Sequence, residues 1–156
     1  ATEIESALNN GLTPLVPSTN RPGYTIIARS ITSRSLASGV PNYAVLDTSN
    51  VTICDYVADD LNSFLASTYA GFKLTSNSSD GLPPRAPNVT TPNLIRAVIA
   101  QRLAEHEEAA IIKDTAANLS LLTVTASATP GRVDCEIPCE PMPGLHVLGG
   151  DVRQLS

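Results

Sequence analysis

The stretch DTSNVTICDYVADDLNSFLASTYA, residues 47–70, decides the fold class. Ile53, Cys54, Val57, Leu61, Phe64, Leu65 and Thr68 recur at helical spacing along one face. Asp55, Asp59, Asp60 and Asn62 fall on the other, giving a long amphipathic helix. Asp47, Thr48, Ser49 and Asn50 each offer a side-chain oxygen suited to capping its first turn. Gly71 is placed to end it. A helix with one apolar stripe is stabilised mainly by laying that stripe on other elements, so the stretch predicts a packed domain.

The elements downstream supply that packing. Residues 72–74 read as a brief strand, and residues 75–88 shift to Ser, Asn, Gly and Pro, the composition of a surface loop. A second long helix opens with Thr91 as its cap and Pro92 at its first position. Leu94, Ile95, Val98 and Ile99 form its apolar stripe, which further along carries Arg102 and His106. Polar groups taking over a buried stripe predict a helix that leaves its own core to meet another surface. The helical pattern stops after Lys113 and Asp114, and residues 119–126 alternate as a strand. Pro130 and Gly131 mark a turn. Residues 132–139 and 145–152 then read as extended segments, separated by a run ending in Pro143 and Gly144.

Upstream, Ile4, Ala7 and Leu8 mark the last turns of a helix ending at Gly11. Residues 12–16 are extended, broken by Pro14 and Pro17, and residues 24–31 form an apolar-rich run, nearly continuous over residues 24–29. That run predicts a central strand covered on both faces. Residues 42–46 suit a short strand. The expected architecture is α/β, in the α+β sense: a mixed sheet with two long helices over residues 1–128, and a C-terminal strand arm over residues 129–156. The arm is short, Pro-punctuated and amphipathic. Such a segment cannot make a stable sheet alone, so it pairs with its own domain or with a neighbour. Losing it from Arg132 onward is expected to leave the domain folded.

Composition excludes several function classes. The chain has 156 residues and 42% hydrophobic residues, enough for one domain with a real core. Its formal net charge is -5, with no basic cluster of the kind that neutralises phosphates, and only 4% of residues are aromatic. Direct nucleic-acid binding is therefore not expected. No apolar run reaches bilayer length, so no membrane insertion is expected. Ala1, in place of Met, sits inside a helix end and points to a domain cut from a longer protein. The 3 cysteines are an odd number and suggest no disulfide framework. Sequons at Asn50, Asn77, Asn88 and Asn118 recur by chance in a Ser/Thr-rich chain, and a reducing cytoplasmic compartment is the simpler reading.

The patterns that carry catalysis are missing. There is no nucleophile elbow, phosphate loop or H-E-x-x-H zinc motif, and His106 and His146 are the only histidines. Cys135, Cys139 and His146 form the sharpest metal alternative. Positions four apart in a strand, however, lie roughly 13 Å apart, too far to share an ion without a turn at Pro138. Glu105, Glu107 and Glu108 read either as a solvated face or as an electrostatic contact with a partner. An enzyme is not expected, nor any cofactor. The rivals from other classes are a secreted or surface binding domain, which glycan mass spectrometry would reveal, and a small metal-binding or hydrolytic domain.

Two segments carry a resemblance. NGLTPL at residues 10–15, followed by YTIIARSIT at residues 24–32, resembles contractile phage tail sheath proteins, most of all those of Mu-like phages. That family shows a helix end, then NGxTPL, a turn, and a strand running into R-x-I-T-T; here Ser33 stands at the second Thr. The Asp-rich helix, the Pro-bearing loop and a TP-x-x-I/L-R helix at Thr91 come next, in the family's order. The resemblance implies the C-terminal, inner portion of a structural virion subunit, with the N-terminal arm and outer domains missing. It implies stacked hexameric rings around a tail tube, assembled in the bacterial cytoplasm and contracting for host entry and genome ejection. Its implied partners are neighbouring sheath subunits, the tail tube protein, and the baseplate and tail terminator proteins. Val133, Cys135, Ile137, Leu145, Val147 and Leu148 are the implied inter-subunit arm residues, and Arg102, Glu105 and His106 the candidate tube contact. Pro130, Gly131, Pro143 and Gly144 are the candidate hinges.

Overall fold

The computed structural model describes residues 2–33, 36–37, 40–41, 46–78 and 83–144. A short helix, α1 (Thr2–Asn9), comes first. Two long helices organise the remainder: α2 (Thr48–Thr68) and α3 (Pro92–Glu108). Val57 and Leu61 of α2 and Ile95, Ile99 and Leu103 of α3 are buried together with Ile112, Leu122 and Val124. Ile53 and Leu65 are partly buried against this cluster, so the α2 stripe is close to the expected one. Thr68, at its end, is exposed.

The α3 start matches its sequence signal. The Thr91 hydroxyl accepts a hydrogen bond from the Leu94 amide, with Pro92 in the first turn. The Asn77 side chain accepts a second, from the Asn93 amide. These two acceptors satisfy amides that no helical carbonyl can reach. At the far end Ala110 adopts φ 56, and the Ile111 amide donates back to the His106 carbonyl, closing the helix in a left-handed turn.

Among the described residues the strands fall into four two-stranded pairs in place of one mixed sheet. β1 (Leu15–Pro17) and β2 (Thr25–Ile27) form an antiparallel hairpin with Leu15 opposite Ile27. β3 (Leu36–Ala37) pairs with β4 (Val40–Pro41), and β5 (Lys73–Leu74) runs parallel to β6 (Val89–Thr90). After a single helical turn, α4 (Thr115–Asn118), β7 (Thr123–Ala126) and β8 (Val133–Glu136) close a second hairpin. The α+β class stands. The central strand expected at residues 24–31 does not: only Thr25, Ile26 and Ile27 form a ladder, all of them exposed, and Ile31 makes a separate bridge. Pro14 and Pro17 bracket its partner, and a proline cannot donate to a ladder. The strand expected at residues 42–46 lies outside the described residues except for Leu46.

What sets the N-terminal hairpin against α2 is the pair of motifs at residues 10–15 and 24–32. Gly11 has φ +73, and a Cβ there would meet the Ser33 Cα at 3.2 Å. The Thr13 hydroxyl donates to the Ile31 carbonyl and accepts from the Ile31 amide, both at 3.3 Å. Ile31 is buried and bridges to Asp47. Arg29 grips the Asp47 carboxylate with two hydrogen bonds of 2.7 and 2.8 Å. Each motif therefore serves as one half of a latch onto the start of α2.

Arg96 does comparable work inside the core layer. Its Nε donates to the Leu122 carbonyl at 3.0 Å and its guanidinium to the Leu119 carbonyl at 2.7 Å. These carbonyls lie just past α4, where the chain turns into β7. An Arg96→Ala variant is expected to lose about 2 kcal/mol of unfolding free energy in a denaturant titration, because charged donors make the stronger hydrogen bonds. A loss within about 0.5 kcal/mol, the ordinary range for surface changes, would show that water replaces the guanidinium at both carbonyls.

Candidate functional site

The face formed by α2 and α3 carries a polar cluster of Asp60, Arg102, Glu105 and His106. Asp60, one helical turn beyond Tyr56, is half-buried and turned toward α3. Arg102 holds its carboxylate with two hydrogen bonds of 2.7 and 2.8 Å, and the His106 Nε2 lies 2.9 Å from one of the same oxygens. Arg102 also donates to Glu105 at 2.6 Å and lies over the Phe64 ring, 5.1 Å from its centroid. The Tyr56 ring meets His106 edge-on with centroids 5.8 Å apart.

This arrangement corrects the reading of Asp60 as part of the outer polar face, and of α3 as leaving its own core. Arg102 and His106 stay on the inward stripe because α2 supplies a carboxylate for both. His106 is 4% exposed, Arg102 is partly exposed, and Glu105 is exposed. The surface open to a partner here is accordingly Glu105 with the outer side of Arg102.

The electrostatics are one-directional. The Arg102 guanidinium holds the Asp60 carboxyl below the usual carboxylate range, with His106 adding to the effect and burial opposing it. Lys113, and then Asn118, hold Glu140 below its usual range in the same way. A carboxyl that binds its proton more weakly when folded contributes stability above its unfolded pKa, and that stability is lost as pH falls through the folded value. The melting temperature is therefore expected to fall as pH drops below about 4, the unfolded carboxylate range. Asp60→Asn should melt lower at neutral pH and decline less steeply in acid. Parallel curves for the two proteins would remove Asp60 from the acid response.

The second surface is the β7–β8 hairpin and the segment after it. Val133 pairs with Ala126, and Cys135 pairs with Val124. Val133, Ile137 and Cys139 pack on the core cluster from outside, whereas Cys135 is exposed. Pro130 and Gly131 form the hairpin turn, where Gly131 takes φ +76 and the Ser127 amide donates to the Arg132 carbonyl at 2.9 Å. Beyond β8 the chain is fastened to residues 111–113. The Lys113 amide donates to the Glu140 carbonyl, the Met142 amide to the Ile111 carbonyl, and the Lys113 ammonium pairs with the Glu140 carboxylate. Pro143 and Gly144 are exposed just after this anchorage. Leu145, His146, Val147 and Leu148 lie outside the described residues.

Among the described residues, no group of three or more His, Cys, Asp or Glu is placed to hold a metal ion. No helix among them is long and apolar enough to cross a membrane. β8 has one ladder partner, so its outer edge carries main-chain groups with no further strand among the described residues. It also lines a groove of about 590 Å³ with Leu65, Tyr69, Phe72, Leu74 and Ile95.

Sequence reasoning brought out Arg102 and His106 but not their carboxylate partner, and it gave Arg96 no role. The signal for Arg96 was present: it is the last position of the TP-x-x-I/L-R pattern. For Asp60 there was none, because four acidic or amide residues crowd the same stretch of α2. Compared with known families, residues 41–154 match the family model for the phage tail sheath C-terminal domain. A search of curated proteins gave no match.

Proposed function

Because the chain belongs to the phage tail sheath C-terminal domain family, we propose that it is the inner part of a contractile sheath subunit. The coarser role, a structural component of the tail sheath in the virion, comes from the family itself. The finer reading is that copies polymerise as stacked hexameric rings around a tail tube, in the bacterial cytoplasm, and shorten to drive the tube through the host envelope. Sheath subunits, the tube protein, and the baseplate and tail terminator proteins are its partners in this reading.

The observation that carries the proposal is the family match across most of the chain, and the hairpin supports it. An unpaired β-edge invites strand addition, in which main-chain hydrogen bonds give affinity and alternate side chains give register. In this reading residues 129–156 join subunits. Val133, Cys135 and Ile137 belong to the receiving hairpin, and Leu145, Val147 and Leu148 to the donated strand. Pro130, Gly131, Pro143 and Gly144 are the hinges that let rigid domains repack while the mesh stays connected. Glu105 and Arg102, backed by His106, face the tube. Contraction needs no nucleotide when the extended state is kinetically trapped at assembly.

Immunogold labelling of released particles tests this. Antibody against the chain should decorate tails along their whole length. Label confined to one end of the tail, or to the head, would sink the sheath reading.

A further inference from the structure

Cys54 of α2 and Cys139, just past β8, are 85 residues apart in sequence, yet their Sγ atoms stand 3.5 Å apart. Both are half-buried and free, whereas the third cysteine, Cys135, is exposed. We infer that Cys54 and Cys139 form a disulfide-forming pair, a covalent clasp that fastens the chain after β8 to α2 when a small-molecule disulfide is the oxidant. Nothing in this inference depends on the sheath reading.

Three observations meet at the pair. The sulfurs are in contact, and a disulfide's bond of about 2.05 Å needs them to close by only about 1.5 Å. The flanking backbone is held at the right depth: Ile137 and Cys139 pack on the core cluster, and Glu140 is tied to Lys113 and Asn118. Ile53, beside Cys54, packs on the same cluster. Both ends of the clasp are thus fixed before the bond forms, which removes most of the entropy that closing such a loop would otherwise cost.

The chemistry balances as thiol–disulfide exchange with oxidised glutathione. The Cys54 sulfur, as thiolate, attacks one sulfur of the reagent, whose S–S bond breaks, and the released thiolate takes up a proton. The Cys139 sulfur then loses its proton and attacks the mixed disulfide at Cys54, releasing the second glutathione thiol. Two protein thiols are oxidised and one reagent disulfide is reduced to two thiols, a two-electron exchange. Burial, with the Cys54 sulfur alongside, pushes the Cys139 thiol up to about 12. A raised thiol pKa leaves little thiolate near neutral pH, so the exchange is slow there.

The test is to treat the purified protein with oxidised glutathione, unfold it, and titrate free thiols. The expected result is a fall from three to one, a Cys54–Cys139 cross-linked peptide in the mass spectrum, and a melting temperature raised by about 10 °C that a reductant reverses. Cys135→Ser should keep the shift. Cys54→Ala, checked for folding in reductant, should lose it. Stable glutathione adducts on Cys54 or Cys139, links through Cys135, or three remaining thiols would each overturn the inference.

Discussion

An Ile99→Asp variant should fail to fold at room temperature, giving a far-ultraviolet circular dichroism spectrum without helical minima. Ile99 is 0% exposed and sits among Val57, Leu61, Leu103 and Leu122 in the core cluster. A carboxylate there would be cut off from solvent among apolar side chains. Burying an unpaired charge costs several kcal/mol even after relaxation, and the lost isoleucine contacts add about 2 to 5 kcal/mol. The sum reaches the whole stability of an ordinary domain, about 5–15 kcal/mol. Val57→Asp should behave the same way, at 2% exposed. Leu94→Asp is the control and should remain folded: the sequence places Leu94 on the apolar stripe of this helix, but it lies 36% exposed. An Ile99→Asp protein that melts cooperatively near the wild type would place the core elsewhere.

The second large effect separates domain from arm. Ending the chain after Gly131 removes β8, stripping Val133, Ile137 and Cys139 from the core and leaving β7 without its ladder. An isolated strand of four residues has no stability of its own, so this truncation should unfold the domain. Ending it after Gly144 keeps the β7–β8 ladder and the anchorage beyond it, including Lys113 with Glu140 and Met142 with Ile111. That protein should melt within a few degrees of the full chain while losing the ability to assemble. A cut at Arg132 spares the fold only if the tail is one unit, and the hairpin divides it: its first strand is bound into the domain. Assembly unaffected by loss of residues 145–156 would remove the donated strand from the proposal.

Helices were legible because their signals are local. The Thr91 cap, Pro92, most of the α2 stripe and the turn at Gly71 each depend on residues within a few positions. The first two and the turn stand as read, and the stripe holds at Ile53, Val57, Leu61 and Leu65 but not at Thr68. Pairing was not legible, because it depends on what lies across the ladder. The apolar run at residues 24–31 looks like a core strand. Its partner, however, is limited by two prolines, and the hairpin presents Tyr24, Ile26 and Ile27 outward. The polar cluster was half legible. Arg102 and His106 stood out on an apolar stripe, but nothing in α2 marks Asp60 above Asp55 or Asp59 as the residue that turns inward. The Cys54–Cys139 contact spans 85 residues and leaves no local trace.

The most direct test of the sheath assignment is negative-stain electron microscopy of the whole subunit that carries this domain, expressed alone in a bacterial cytoplasm and purified under mild conditions. Tubes or stacked rings with six subunits per ring are the predicted result. A homogeneous population of dispersed monomers at every concentration and salt tested would contradict self-assembly as its function.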